Sequence, residues 1–492
     1  MILNTSSIWP IKKSDLPKFF LMSFLMFMIL LCHNSTRVLK DSIIVHEFGP
    51  EAISFIKLWL EIPFGSLFIL VYYRLCNSMT TEQAFRIIIS FFLAFYAAFA
   101  FLFYPNQAFF HLSQTTMEHL IVSYPCFKWF IIIFSKWSIT IFYVLAEFWP
   151  AVVFTLLFWQ LANKITSYDE SKVFYPYFNF FGQINLLIAG TIVCFIVDKN
   201  GILYRLFSDY SNEVTETNIK SIVTFVLILG VSILFCHYTI ENLIINKCDN
   251  IKKKQLKAVL KLNIIESLKM TASSMLLMRI AILMMSYHIC VNTIEGIWFA
   301  KVYELYDSTD NFIDYQGNVL FYTGICGVIA ALLGSFLIRN YSWYTSSVIT
   351  PIIILVTGGG FFILVIFQNY FDGFFTLLGL PILFVMAFVG GLQNVLGKGV
   401  KYGIFDITKE MLYIPLDKEA KTKGKAAVDI IGTKCGKAIG SIIQFLTITL
   451  APNTKLVDLS IWLFGLYTLA AILWIYTTKK LSKDMEVNLG KQ

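Results

Sequence analysis

Glu147 stands in Leu145-Ala-Glu147-Phe-Trp-Pro150 with apolar sequence on both sides. A charged group at the centre of a membrane helix costs roughly 2.5–3.5 kcal/mol on insertion scales, so it calls for a partner or a task. No cation lies within a helical turn of Glu147, so its partner must come from another helix, a substrate or a proton; the alternative is a neutral acid hydrogen-bonded between helices. Glu295, with Asn292 one turn before it in Val291-Asn-Thr-Ile-Glu295-Gly-Ile-Trp298, has the same two readings. Lys57 and Glu61 are one turn apart in another apolar stretch, where they either neutralise each other at the membrane interface or face a partner. Arg37, Lys40 and Asp41 follow an apolar run, either as gate charges or as a solvated cap. The stretch 416–444 carries Lys425 and Lys437 from a water-loving segment into an apolar one, and cations so placed should meet something negative.

Such residues can bind and neutralise an anion, but they do not assemble into a hydrolytic site. The run Gly432-Thr-Lys-Cys-Gly436-Lys437-Ala has the wrong spacing for a phosphate loop and lacks the hydroxyl that ligates magnesium. No H-E-x-x-H, G-x-S-x-G or paired metal-ligand spacing occurs, and no cofactor motif is present. The nine cysteines are scattered with no C-x-x-C pair and are expected to be small apolar fillers.

The elements that must hold these charges are membrane helices. Composition is 57% hydrophobic and only 14% charged, with a mean hydropathy of +0.70, far from soluble domains. Apolar runs recur that are long enough to cross about 30 Å of hydrocarbon, and a backbone in lipid must satisfy its own hydrogen bonds, which helices do. Twelve spans are expected, at 18–36, 55–76, 86–104, 138–162, 177–197, 220–240, 272–298, 319–338, 344–367, 374–395, 428–450 and 459–478. The aromatic stretch 120–137, broken by Pro125, Lys128 and Lys136, is expected in the interface.

Loop charges test this count. Lysines and arginines at 12–18, 74–86, 164–172, 247–269, 339, 398–425 and 479–483 fall on one side, and the acidic runs 209–216 and 304–314 on the other. Both termini are therefore expected in the cytoplasm. The net charge of +8 is explained by these loops without invoking nucleic acid. The basic loop 241–271 divides the chain into bundles at 18–240 and 272–478, with a cytoplasmic start at 1–17 and tail at 479–492. An all-α, major-facilitator-like fold follows, with a substrate path between the halves. Each bundle reads as self-sufficient, which argues for a monomer.

The chain resembles the nucleotide transporters typified by the ATP/ADP translocases of obligate intracellular bacteria and plastids. The likeness rests on 415–429 with Gly436, Lys437 and Gln444, and on Arg37-x-x-Lys40-Asp41, Glu51-Ala-Ile-x-Phe-x-Lys57-x-Trp59, Glu147-x-Trp149, Phe174-Tyr-Pro176 with Asn185, and Asn292-x-x-Glu295-x-x-Trp298. It implies transport roles for Lys57, Glu147, Glu295 and Lys425 or Lys437, and places Asn185 and Asn292 among the candidate substrate-side residues. It implies a bacterial inner membrane, ATP and ADP as substrates, and phosphate or protons as further species. Glu61, Pro150 and Phe299 depart from the family's pattern, which bears on the base carried. Proton-coupled import of other nucleoside triphosphates or NAD is the alternative within the family, and a membrane-embedded enzyme the remote one.

Overall fold

A computed structural model describes residues 11, 13–211, 213–245, 273–306, 308–413, 428, 431–450 and 455–489. All regular structure among them is helical. The long helices are α1 (Leu16–Phe48), α2 (52–78), α3 (Thr81–Phe103), α4 (Trp137–Ile165), α5 (Tyr168–Val197), α6 (Val214–Ile245), α7 (Met275–Leu305), α8 (Thr309–Asn340), α9 (Trp343–Ile366), α10 (Ile382–Met411), α11 (431–450) and α12 (Ser460–Leu489). Among the described residues ten of these segments are long and apolar enough to cross a membrane; α2, which carries Lys57, Glu61 and Arg74, and α11 are the two long helices outside that set. Short helices at Gln114–Ser123, Lys128–Ser135 and Gln368–Leu377 lie between spans.

Spans one and ten end well past their expected positions, for one physical reason. The first span does not stop at 36: α1 continues to Phe48 and buries Lys40 and Asp41 within it. The tenth span is not 374–395 but Ile382–Met411, so Lys398 and Lys401 belong to a helix and not to a loop. Charge ends a span when it would face lipid. These charges face an interior cavity instead, so the helix runs through them. The expected central loop is helical up to Ile245, and its remainder, like 414–427, lies outside the described residues.

Within the first half, α1 packs on α4, α5 and α6; within the second, α7 packs on α10, α11 and α12. The halves meet along α5 and α8, where small residues let backbones approach as they do in membrane bundles. A methyl group added at Gly324 would run into the backbone of Leu187, and one at Gly190 into that of Phe321. The halves also close on each other at the end away from α1's start. There Ser54 of α2 donates to Gln444 of α11, and Glu51 accepts the Leu456 backbone N–H at 3.2 Å. Phe55 stacks edge-on to Phe445 at 4.9 Å, and His46 meets Tyr303 of α7 at 5.1 Å. At the opposite end the ion pairs Lys18–Glu170, Lys164–Glu82, Arg86–Glu241 and Arg279–Asp484 each join helices of one half.

Overpacking a close crossing costs about 1–3 kcal/mol. Gly324→Ala is therefore expected to lower the thermal unfolding midpoint of the detergent-purified protein, whereas Gly359→Ala, where an added methyl meets nothing, leaves it level or higher. Equal midpoints for the two would contradict this account of the crossing.

Candidate functional site

Between the halves lies an open chamber of about 930 Å3, counting the solvent space at its mouth. Among the described residues it is lined by the cations Arg37, Lys40, Lys57, Lys398, Lys401 and Lys437 and by the carboxylates Asp41, Glu147 and Glu295. Six cations line it against three carboxylates, and Lys401 is also paired with Asp406 at 3.2 Å, which leaves an excess of two positive charges.

The carboxylates do not sit beside their own helices' cations alone; two of them bridge the halves. Glu147 of α4 lies 3.1 Å from Lys40 of α1 and 3.0 Å from Lys437 of α11. Glu295 of α7 lies 3.4 Å from Arg37 of α1, 3.9 Å from Lys57 of α2 and 3.4 Å from Lys398 of α10. Lys57 also donates to the Asn292 side-chain oxygen at 3.1 Å, and the Asn292 amide donates to Ser441 and to the Lys437 carbonyl, tying α2, α7 and α11 together. Arg37 and Asp41 share a helix face at 3.9 Å, and Lys40 approaches Asp41 to 2.5 Å. Lys40 sits over the Tyr143 ring, 4.2 Å from its centroid, and Lys401 over Tyr402 at 4.3 Å, contacts that favour a cation through the ring quadrupole.

Local irregularity aims these side chains. Stretches of π-helix begin at Lys57 in α2, at Pro150 in α4 and at Lys401 in α10, and another at Ile431–Cys435 ends just before Lys437 in α11. The extra residue in a π turn rotates the helix face, and such turns concentrate at functional positions. Pro150, which has no backbone N–H, begins its wide turn three residues after Glu147, so the break that proline forces is absorbed where the cavity wall bends.

Of the residues singled out by sequence, Arg37, Lys40, Asp41, Lys57, Glu147, Asn292, Glu295 and Lys437 line this one cavity. Asn185 does not. It is fully buried in α5, where its oxygen accepts from Asn34 and its amide donates to the Phe27 carbonyl, so it fastens α5 to α1. Glu61 is buried and is likewise not part of the lining, whereas Lys57 one turn before it is. Lys425 lies outside the described residues. Lys398 and Lys401 were missed because counting them as loop charges satisfied the positive-inside pattern. Gly397, Gly399 and Gly403, spaced for close helix packing around them, were the signal that the helix continues.

Removing one member of a desolvated ion pair strands the other, at a cost of about 3–5 kcal/mol for full burial and less here, where the Lys437 side chain keeps 31% exposure. Glu147→Gln and Lys437→Gln are each expected to lower the unfolding midpoint, and the double variant to lose less than the two together. Strictly additive losses would show that the two side chains are not coupled.

Comparison with known proteins agrees with this architecture. Residues 3–485 match the family described as TLC ATP/ADP transporter. The chain is 39% identical over 487 residues to ADP,ATP carrier protein 4 of Rickettsia felis, covering 98% of this chain and 94% of that one. It is 38% identical over 487 residues to ADP,ATP carrier protein 3 of Rickettsia bellii, with 97% and 96% covered. Among solved structures it is similar to a bacterial homologue of the iron transporter ferroportin in an inward-facing state, with a TM-score of 0.60, 12% identity, and 96% and 100% covered. It is also similar to a D-xylose–proton symporter, with a TM-score of 0.55, 12% identity, and 92% and 97% covered. At that identity the structural likeness shows the fold alone, a major-facilitator-type pair of helical bundles.

Proposed function

The chain belongs to the TLC ATP/ADP transporter family, and from that premise we propose that it exchanges ATP for ADP across a bacterial inner membrane by alternating access between its two six-helix halves. The observation that carries the reading is the cavity's composition: six cations from α1, α2, α10 and α11 face one chamber that holds three carboxylates. A polyphosphate supplies the missing negative charge. Charge-assisted bonds to its oxygens are roughly twice as strong as neutral ones, and Tyr143, Tyr287 and Tyr402 offer aromatic faces nearby.

The carboxylates then act as stand-ins for phosphate. In the empty carrier Glu147 holds Lys437 across the interface and Glu295 holds Arg37 and Lys57, so five charged groups tie the halves together from within. The halves cannot rock until those pairs are exchanged for others. An entering polyphosphate competes for the same cations, and the released carboxylates no longer join one half to the other. This makes the return of an empty carrier costly and couples inward to outward movement, which is what exchange requires.

Orientation follows from loop charge. The end carrying α1's start and the basic loops faces the cytoplasm, so the closure at Ser54, Gln444 and Glu51 shuts the outer side and the cavity opens inward. Exchanging external ATP for internal ADP carries about one extra negative charge inward, at roughly 2.3 kcal/mol per 100 mV of inside-negative potential. Uptake must therefore draw on the nucleotide gradients of an ATP-rich host. Both bridging carboxylates are engaged as counter-ions to lysine and arginine, which favours exchange over a proton-driven importer.

Counterflow in proteoliposomes tests the reading. Uptake of labelled ATP is expected to rise several-fold when ADP is inside, with the nucleotide recovered unchanged. Uptake indifferent to internal ADP would overturn exchange, and hydrolysed product would overturn transport as the activity.

A further inference from the structure

The lining of the chamber is sorted by depth. Four of the helices that wall it place charged residues toward the closed end and a ring-bearing residue about a turn or more nearer the end that carries α1's start. On α1, His33 comes one turn before Arg37 and two before Lys40 and Asp41. On α7, Tyr287 and His288 come eight and seven residues before Glu295, roughly 11 Å of helix at 1.5 Å per residue. Helices α4 and α10 run the other way, and there Pro150 follows Glu147 by three residues and Tyr402 follows Lys398 by four. The charges deeper in are already paired with one another. The rings are not: His33, His288 and Tyr402 are part-exposed, and their side chains make no hydrogen bond to another described residue. Tyr287 backs this layer, edge-on to His288 at 5.0 Å and held from behind by Phe405 at 5.5 Å and Trp474 at 5.8 Å.

We propose that this ring layer holds the nucleoside end of the substrate, so that in the inward-open carrier a nucleotide lies with its base toward the cytoplasm and its phosphates among the deeper cations, with His33 of the first half and His288 of the second meeting the base. The inference rests on the nucleotide reading above and deepens it by giving the bound substrate a direction. Phosphate oxygens are held most strongly by guanidinium and ammonium groups. Arg37, Lys40, Lys57, Lys398 and Lys437 each lie within 3.9 Å of Glu147 or Glu295, so the phosphates belong at that depth. The sixth cation, Lys401, stands among the rings but is held by Asp406 at 3.2 Å and lies over Tyr402. A base needs flat faces to stack on and hydrogen-bonding edges that are not already taken, and histidine serves both uses where proteins bind unstacked bases. The reverse direction fits worse, because the rings at the deeper end are occupied. Tyr143 is 2% exposed beneath Lys40, and Phe299 is 3% exposed and stacked on Trp298 at 5.1 Å.

The test compares ATP with tripolyphosphate, which has the charges but no base, as competitors of labelled ATP on the full-length protein in proteoliposomes. Wild type is expected to prefer ATP over tripolyphosphate. In His33→Leu and in His288→Leu, which remove the ring at similar volume, that preference is expected to shrink about tenfold, with ATP losing and tripolyphosphate holding its place. Retention of the wild-type preference in either variant overturns the proposal and leaves the exchanger reading standing. If ATP itself does not compete in wild type, the nucleotide reading fails and the direction with it. A second arm needs no variant: ATP carrying a photoreactive azide on its base is irradiated with the detergent-purified wild type, and the labelled peptides are mapped. Label that excess ATP prevents is expected on the ring-layer segments 30–36, 285–291 or 399–405. Protected label confined to the deeper segments 140–147 or 295–302, or no protected label on the ring layer, overturns the proposal.

Discussion

Two carboxylates, each held by cations from the opposite half, are the constraint on which the rest of this molecule depends. Glu147 on α4 reaches Lys437 on α11, and Glu295 on α7 reaches Arg37 on α1 and Lys57 on α2. Burying so many charges in a membrane protein is expensive, and truncating one partner costs more than the pair is worth in net stability. The arrangement is therefore poorly explained as a means of holding the fold together. It is better explained as a set of contacts that must be traded for others during a working cycle, with a polyanion as the other party.

The scaffold serves that trade. The α5–α8 seam, built on glycines at 190, 317 and 324, gives the halves a close, small-residue contact along which they can pivot. The π turns in α2, α4, α10 and α11 point charge into the chamber without breaking the spans that carry it. Asn185 and Asn34 fasten α5 to α1 within the first half, and Asn292 joins α7 to α11 within the second while touching Lys57 of the first. Each half is thus tied within itself, and inside the chamber the halves are joined by three exchangeable ion pairs, Glu147–Lys437, Glu295–Arg37 and Glu295–Lys57.

Much of this was legible in the order of residues. Hydropathy placed the spans, loop charge set their alternation, and the cost of charge in lipid pointed to Glu147, Glu295 and Lys57, all of which line the cavity. What could not be read was the partner of each charge, because pairs such as Glu147–Lys437 join residues on helices far apart in the chain. The same rule that located the spans concealed Lys398 and Lys401: a lysine beyond an apolar run satisfies the positive-inside pattern whether it lies in a loop or faces a polar chamber. Asn185 illustrates the opposite error, a polar residue in a matching motif whose side chain is consumed by helix packing.

The central claim is that carboxylate–cation bridges keep the empty carrier from turning. Pulsed electron paramagnetic resonance between spin labels at Tyr210 and Leu377, exposed positions at the end of the two halves away from α1's start, measures that directly without requiring transport. In the nucleotide-free wild type the account predicts a single closed-distance population, and in the variant combining Glu147→Gln with Glu295→Gln a second, longer-distance population in which that end has opened. Identical distance distributions in the two proteins would contradict it.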